Sequence, residues 1–152
     1  MSDWMAPVER VLEAVAWRGG AIVWLPEYRP ELLEAIAEHF GLAFRDFRRE
    51  RMAPLGWQAT RLGLADLDAF LAEAGRCGPA LVHNVEALLA TRRREKRVGW
   101  FTQFLARHRE HAVLIPVVLF GDEVPADGRR VVRLDPAAIP PAGFLLRLAS
   151  MR

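Results

Sequence analysis

Cysteine, lysine and tyrosine are nearly missing from the sequence, since each occurs only once in 152 residues. The lone thiol, Cys77, cannot form an internal disulfide, which excludes a small secreted domain held together by disulfides. The sequence also lacks a run of 18 apolar residues and an N-terminal signal segment. We therefore expect a soluble, cytoplasmic protein that has no membrane partner.

The overall composition is typical of one globular domain. Hydrophobic residues make up 52% of the chain and charged residues 26%, which excludes a disordered tail protein. A chain of this length buries roughly 70% of its unfolded surface, so the fold needs neither a metal nor a disulfide to hold it. We expect a single domain over residues 1–152.

Arginine supplies almost all of the positive charge. Only Lys96 among the 21 basic residues is a lysine, and the net charge at neutral pH is +2. The preference for arginine over lysine resembles the codon bias of a high-GC genome as much as any function, so alone it is weak support for a nucleic-acid partner. The position of the one lysine matters more, since phosphate-binding loops depend on a lysine.

Hydrophobic spacing predicts helices and strands in alternation. Apolar residues three and four apart predict helices over residues 5–17, 30–40 and 64–74. Continuous apolar runs, which are typical of strands buried on both faces, lie at residues 21–25, 80–82 and 114–120. Shorter strands are predicted at residues 43–47 and 131–134.

The remaining elements complete the expected architecture. Thr91 is expected to cap a long helix, and a last helical turn is expected at residues 144–148. The inner side of the long helix should carry Val98, Phe101, Phe104 and Leu105. The alternation predicts an α/β fold, a three-layer domain with a mainly parallel sheet.

The turn after the first strand lacks what a phosphate-binding loop needs. Such a loop wraps phosphates with backbone N–H groups of glycines and places a lysine on them. Residues 25–31 contain no glycine, two prolines without N–H groups, and the carboxylates of Glu27 and Glu31. Lys96 lies about seventy residues away and follows no strand. A working Walker A loop is therefore not expected.

The order of motifs resembles the core of an AAA+ or related P-loop NTPase over about residues 20–134. The segment Leu81-Val82-His83-Asn84-Val85-Glu86-Ala87-Leu88-Leu89 is similar to a Walker B strand. Asn84 and Glu86 match that motif, whereas His83 stands where the family has its magnesium-organising aspartate. Residues 114–121 resemble the sensor strand but lack its polar residue. Among small proteins of this layout, the chain resembles the P-loop protein of type 3 BREX phage-defence systems on Asn84-Val85-Glu86.

The resemblance implies a degenerate, P-loop NTPase-like fold without catalysis, cofactor or metal. We expect a pseudo-ATPase-like adaptor or structural subunit that binds protein partners in a larger complex, and the resemblance implies DNA handling or phage defence as its setting. A flavodoxin-like or Rossmann-like sheet is the alternative fold. A small enzyme that uses His83 and Glu86 is an alternative function, although His83 is more simply a hydrogen-bonded residue at the end of a strand.

Two arginine-rich runs support another alternative, a stand-alone domain that binds DNA or RNA. Cations near a helix N-terminus are unfavourable there, so a phosphate backbone or an acidic partner would explain them. An ordinary solvated surface explains them equally well. The candidate residues are Arg92, Arg93, Arg94, Lys96 and Arg97 in one run, and Arg45, Arg48, Arg49 and Arg51 in the other.

A few isolated residues have both a structural and a functional interpretation. Trp57, with Met52 and Leu55, either packs on the core or anchors a protein partner, and burial is expected for it as for Trp4 and Trp100. His108 and His111 lie three apart on the expected helix and could bind a metal, but they have no third ligand and solvation is expected. Cys77 has no pattern of a nucleophile.

Overall fold

The computed structural model describes residues 3–141 and contains a five-stranded parallel sheet. The strand order is β2-β3-β4-β1-β5, and every pair of neighbouring strands is parallel. This confirms the expected α/β class. The strands are β1 (Gly20–Trp24), β2 (Ala43–Asp46), β3 (Ala80–His83), β4 (Val113–Val117) and β5 (Val131–Arg133).

The helices form where the apolar spacing predicted them. Pro30 opens the second helix without needing its missing N–H, and Gly41 ends it with φ of +67°, which suits glycine. The helices are α1 (Ala6–Ala14), α2 (Pro30–Phe40), α3 (Leu64–Ala74), α4 (Glu86–Leu89) and α5 (Arg94–Ala106).

The helices cover both faces of the sheet. The chain crosses through α2 to the far edge and returns through α3 and α5, so right-handed connections place α2 opposite the other two. Two apolar clusters agree with this, one with α1 and α2 around Val23 and Leu114, the other with α3, α4 and α5 around Ile22 and Ile115. The domain therefore has three layers.

The strand order separates this sheet from two common parallel sheets. Rossmann and flavodoxin-like orders both place the first strand beside the second. Here β1 lies between β4 and β5, and two strands separate it from β2. The sheet therefore has neither the Rossmann nor the flavodoxin-like strand order, and that alternative prediction is wrong.

Three local expectations are wrong. The Thr91 hydroxyl donates to the Leu88 carbonyl at 2.6 Å, so Thr91 closes α4 and does not cap α5, which begins at Arg94. Strand β4 ends at Val117, and the next residues turn. His108 lies beyond the end of α5 and pairs with Gly19 through a single antiparallel bridge. The turn expected at residues 144–148 lies outside the described residues.

Within residues 3–141, no helix combines the length and the apolar character needed to span a lipid bilayer.

Candidate functional site

Ligands of open parallel sheets bind at the carboxyl edge, and here the corner between β1 and α2 is closed by an internal ion pair. The buried Arg29 donates from Nε to the Glu31 carboxylate at 2.7 Å, and its Nη1 donates to the Pro140 carbonyl. Pro30, the first residue of α2, has no N–H to offer. The corner therefore presents a carboxylate and a guanidinium that is paired through Nε and Nη1, with its buried Nη2 left without an acceptor in residues 3–141, where a phosphate-binding loop presents N–H groups and a lysine.

The neighbouring crevice, between the ends of β1 and β4, is also filled. The Trp24 indole packs against Gly121, and the Arg133 guanidinium lies 4.5 Å from the centre of the indole on another side. Beside it, the Glu86 carboxylate accepts hydrogen bonds from the N–H groups of Val118, Leu119 and Phe120 at 2.7–2.8 Å. Glu86 thereby satisfies the first backbone donors after β4.

This geometry gives Glu86 a structural part in the fold. Burial raises the pKa of Glu86, and the three backbone hydrogen bonds act in the opposite direction. Within residues 3–141, no hydrogen bond or ion pair joins Glu86 to His83. The structure therefore places these two residues in separate networks, although the sequence had suggested that they could act together.

His83 lies in a polar cluster at the ends of β2 and β3. Its Nδ1 is 2.8 Å from the Tyr28 hydroxyl, and its Nε2 is 3.8 Å from Asp46 Oδ2. Asn84 donates to Asp46 at 3.0 Å and to the Tyr28 oxygen at 3.4 Å. The Phe44 ring stacks on the imidazole with centroids 4.6 Å apart. The cluster joins β1, β2 and β3 at the carboxyl edge.

Both ring nitrogens of His83 face polar groups. The Tyr28 oxygen accepts from Asn84 and shares a hydrogen bond with His83 Nδ1, and the other ring nitrogen, Nε2, faces Asp46. Burial lowers the pKa of His83, while Asp46 raises it by a smaller amount. Burial also raises the pKa of Tyr28. The result is a neutral imidazole at the wall of a cleft of about 380 Å³.

Asn84 has a backbone conformation that non-glycine residues rarely adopt. Its φ is +64°, in the left-handed region, directly after β3. Asparagine tolerates this region better than most residues, and here its amide is directed to Tyr28 and Asp46. Asn84, which matches the Walker B pattern, therefore has a local structural role: it forms the turn after β3 and donates to Tyr28 and Asp46.

The structure divides the predicted cationic residues into engaged and exposed groups. Arg97 makes a two-pronged ion pair with Glu123 at 2.7 Å, and Arg92 donates to the Leu62 carbonyl at 2.5 Å. Arg45 is held by Glu50 and Glu73. The exposed cations of the two runs are Arg93, Arg94 and Lys96, and Arg48, Arg49 and Arg51.

Residues 48–61 form an arm that leaves the end of β2. A π-helical turn, Arg48–Met52, is followed by two short 3-10 turns within Ala53–Arg61, which are separated by a kink at Gly56, and none of these residues is buried. Trp57 is 75% exposed and Leu55 is also exposed, while Met52 is half-buried against the core. The expected burial of Trp57 is wrong, because the arm has no periodic apolar face, whereas Trp4 and Trp100 are buried as expected.

Several residues of the carboxyl edge carry no recognisable signal in the sequence. Tyr28, Asp46 and Phe44 meet His83 only because β2 pairs with β3 and the β1 turn reaches over both. In residues 3–141 no three His, Cys, Asp or Glu side chains are grouped so that they could hold a metal ion. No protein-family model matches the chain, and no curated protein matches it either.

Proposed function

We propose that the protein is a non-catalytic adaptor that joins a larger protein assembly through its arm, residues 48–61. The observation that carries this proposal is the 75% exposure of Trp57, the largest apolar side chain type, on a segment without a buried residue, of which Met52 packs partly against the core. A large exposed aromatic residue gives strong binding energy when a partner removes it from water. Leu55, exposed on the same arm, extends the apolar surface.

The charge of the arm defines the partner that it suits. Glu50 is neutralised by Arg45, so the exposed cations Arg48, Arg49 and Arg51 are left in excess. Arg61 lies 5.7 Å from the centre of the Trp57 ring. An apolar centre with a basic rim suits a protein surface with an apolar pocket and an acidic rim.

The fold and its closed carboxyl edge support the pseudo-ATPase part of the proposal. A three-layer α/β domain with an all-parallel sheet is the architecture that the resemblance to a P-loop NTPase core implies, and fold analogy alone carries this part of the argument. The Arg29–Glu31 pair occupies the corner where such a core would hold phosphates. We expect that magnesium ATP neither raises the melting temperature nor is hydrolysed above buffer. Magnesium-dependent ATP binding at micromolar concentration would contradict this part.

The adaptor proposal is tested by replacing Trp57 with alanine in the full chain. The matched control is Leu119→Ala, since Leu119 is 67% exposed but lies on the loop after β4. Partners are captured from the source cells and quantified by mass spectrometry. We expect a defined set of proteins with wild type and Leu119→Ala, reduced roughly tenfold or more in Trp57→Ala, as for an interface hot spot. Equal capture by all three proteins would contradict the proposal.

Nucleic-acid binding is the second candidate function. It is favoured by the arm, on which the exposed ring of Trp57 lies near Arg61 and on the same segment as other exposed arginines. Single-stranded nucleic acids bind by stacking on aromatic rings and by phosphate contacts. Fluorescence anisotropy with single-stranded and duplex oligonucleotides at low salt tests it. Salt-sensitive binding that Trp57→Ala weakens would favour this candidate, whereas no binding at low salt would exclude it.

A further inference from the structure

Two arginines are buried among residues 3–141, and only one of them has a counter-ion there. Arg29 is paired with Glu31. Arg109 is 8% exposed, its Nε has no hydrogen-bond acceptor within the described part of the chain, and it joins no ion pair there. A guanidinium keeps its charge at every ordinary pH, so an unpaired one in the interior is costly.

Arg109 is held firmly in place. Its backbone N–H donates to the Arg18 carbonyl at 2.8 Å, and its guanidinium lies over the Phe104 ring, 5.2 Å from the ring centre. Burial lowers the pKa of Arg109, and Arg107 lowers it further, whereas Asp68 raises it. The neighbours of Arg109 therefore leave its charge poorly compensated.

Arg109 is one of the residues that line an open cavity of about 330 Å³ at the amino edge of the sheet. This cavity lies between the end of α3 and the segment after α5, away from the carboxyl edge described above. Its other polar lining residues are Arg76, Arg107, His108 and Glu110. Asp68 is 3.9 Å from Arg107, so one carboxylate partly offsets that arginine.

We propose that this cavity binds the phosphate group of a small molecule, with Arg109 at its base. A guanidinium binds two phosphate oxygens through two parallel N–H donors. A phosphate group can carry two negative charges, which suits a site lined by three arginines. The volume is within the range of small-molecule pockets. The bound phosphate would supply the counter-ion that Arg109 lacks, while Arg76 and Arg107 contact it from the rim.

The probes are inorganic phosphate and ribose 5-phosphate, compared with acetate at constant ionic strength. We expect both phosphates to raise the melting temperature and to give a saturable calorimetric signal, and acetate to do neither. Tighter binding of ribose 5-phosphate would assign the site to a phosphorylated metabolite, and equal binding would assign it to free phosphate. An equal effect of acetate and phosphate would overturn the proposal.

Substitution of Arg109 separates binding from structure. We expect Arg109→Met to melt no lower than wild type without phosphate, because an unpaired charge is removed, and to lose the phosphate-induced rise. Lower stability with an unchanged rise would overturn the proposal.

The rim provides a second test that does not depend on the folding of Arg109→Met. Arg107 is at an exposed position, and Arg107→Gln should weaken the binding of phosphate roughly tenfold, the loss expected for one charge-assisted hydrogen bond. The control Arg93→Gln changes an exposed arginine that precedes α5, at the opposite edge of the sheet, and should leave phosphate binding unchanged. Unchanged affinity in Arg107→Gln would overturn the proposal.

Discussion

The Trp24 indole occupies the space that a side chain at Gly121 would need. A Cβ built on Gly121 would lie 1.9 Å from Trp24 Cε2, far inside contact distance. Trp24 is the last residue of β1, and Gly121 lies on the loop that follows β4. Their contact therefore closes the crevice between two neighbouring strands at the edge where open α/β sheets bind ligands.

Gly121→Ala is predicted to destabilise the protein by about 1–3 kcal/mol, the usual cost of overpacking. The ring cannot move easily, because Arg133 lies against it. Urea denaturation measures the change. Gly128→Ala is the matched control, since a Cβ there meets nothing within 4 Å. A second substitution, Trp24→Leu, should restore part of the loss in Gly121→Ala, and strictly additive effects would show that the contact is not the cause.

Local signals explain which parts of this fold could be predicted from the sequence. Pro30 and Gly41 mark the ends of α2 by their own backbone preferences, and the apolar run at β1 reports burial on both faces. Thr91 also carries a local signal, but it is ambiguous: the same hydroxyl can begin one helix or close another, and here it closes α4.

The candidate site could not be predicted in the same way, because its contacts join distant residues. Glu86 reaches backbone groups 32 to 34 residues along the chain, and Tyr28 reaches His83 across 55 residues. Such contacts follow from the strand order, which the apolar pattern does not encode. Arg109 gives no sequence signal either, since its burial depends on where the segment after α5 packs.

Glu86→Gln is predicted to lower the free energy of unfolding by roughly 1–3 kcal/mol, the cost of one unsatisfied buried donor. The carboxylate accepts three backbone N–H bonds, whereas an amide must turn its NH₂ toward at least one of these donors. Urea denaturation measures the change in the free energy of unfolding. Glu95→Gln, at an exposed position, is the control. Wild-type stability in Glu86→Gln would show that the charge of this carboxylate is not needed to satisfy the three backbone donors.

The burial of His83 predicts a stability that depends on pH. The folded state lowers the pKa of His83 below its ordinary value of 6.5, so the unfolded chain binds this proton more readily. Stability is therefore complete above about pH 6.5 and decreases as the pH falls from 6.5 toward the lowered pKa of the folded state. The hydroxyl of Tyr28 and the ring of Phe44 are uncharged, so they do not stabilise a protonated His83 by charge. Asp46 is the group that raises the pKa of His83 against the lowering by burial.

Replacing His83 with glutamine should remove that part of the pH dependence. Denaturation curves at pH 7.5, 6.5 and 5.5 for wild type and His83→Gln measure the difference between the two proteins. We expect the stability of wild type to fall more steeply over this range. His39→Gln, on the exposed side of α2, is the control and should follow wild type. Parallel pH profiles for wild type and His83→Gln would show that the histidine is not the group responsible.

Two arginines of the run at residues 92–97, Arg93 and Arg97, are predicted to respond differently to charge reversal. Arg97→Glu should lower the melting temperature, because it places a carboxylate beside Glu123 and removes the guanidinium 4.2 Å from the centre of the Phe120 ring. Arg97 also lowers the pKa of Glu123, so the pair is strongest at neutral pH and weakens as Glu123 is protonated in acid.

Arg93→Glu should leave the melting temperature near that of wild type, since its only ion pair within residues 3–141 is a 4.0 Å contact with Glu95 at the surface. Circular dichroism melts of the two variants measure this contrast. It also determines how binding to a nucleic acid should be tested: loss of binding in Arg97→Glu could follow from a damaged fold, whereas loss in Arg93→Glu cannot. Equal melting temperatures for both variants would mean that the Arg97–Glu123 pair does not stabilise the domain.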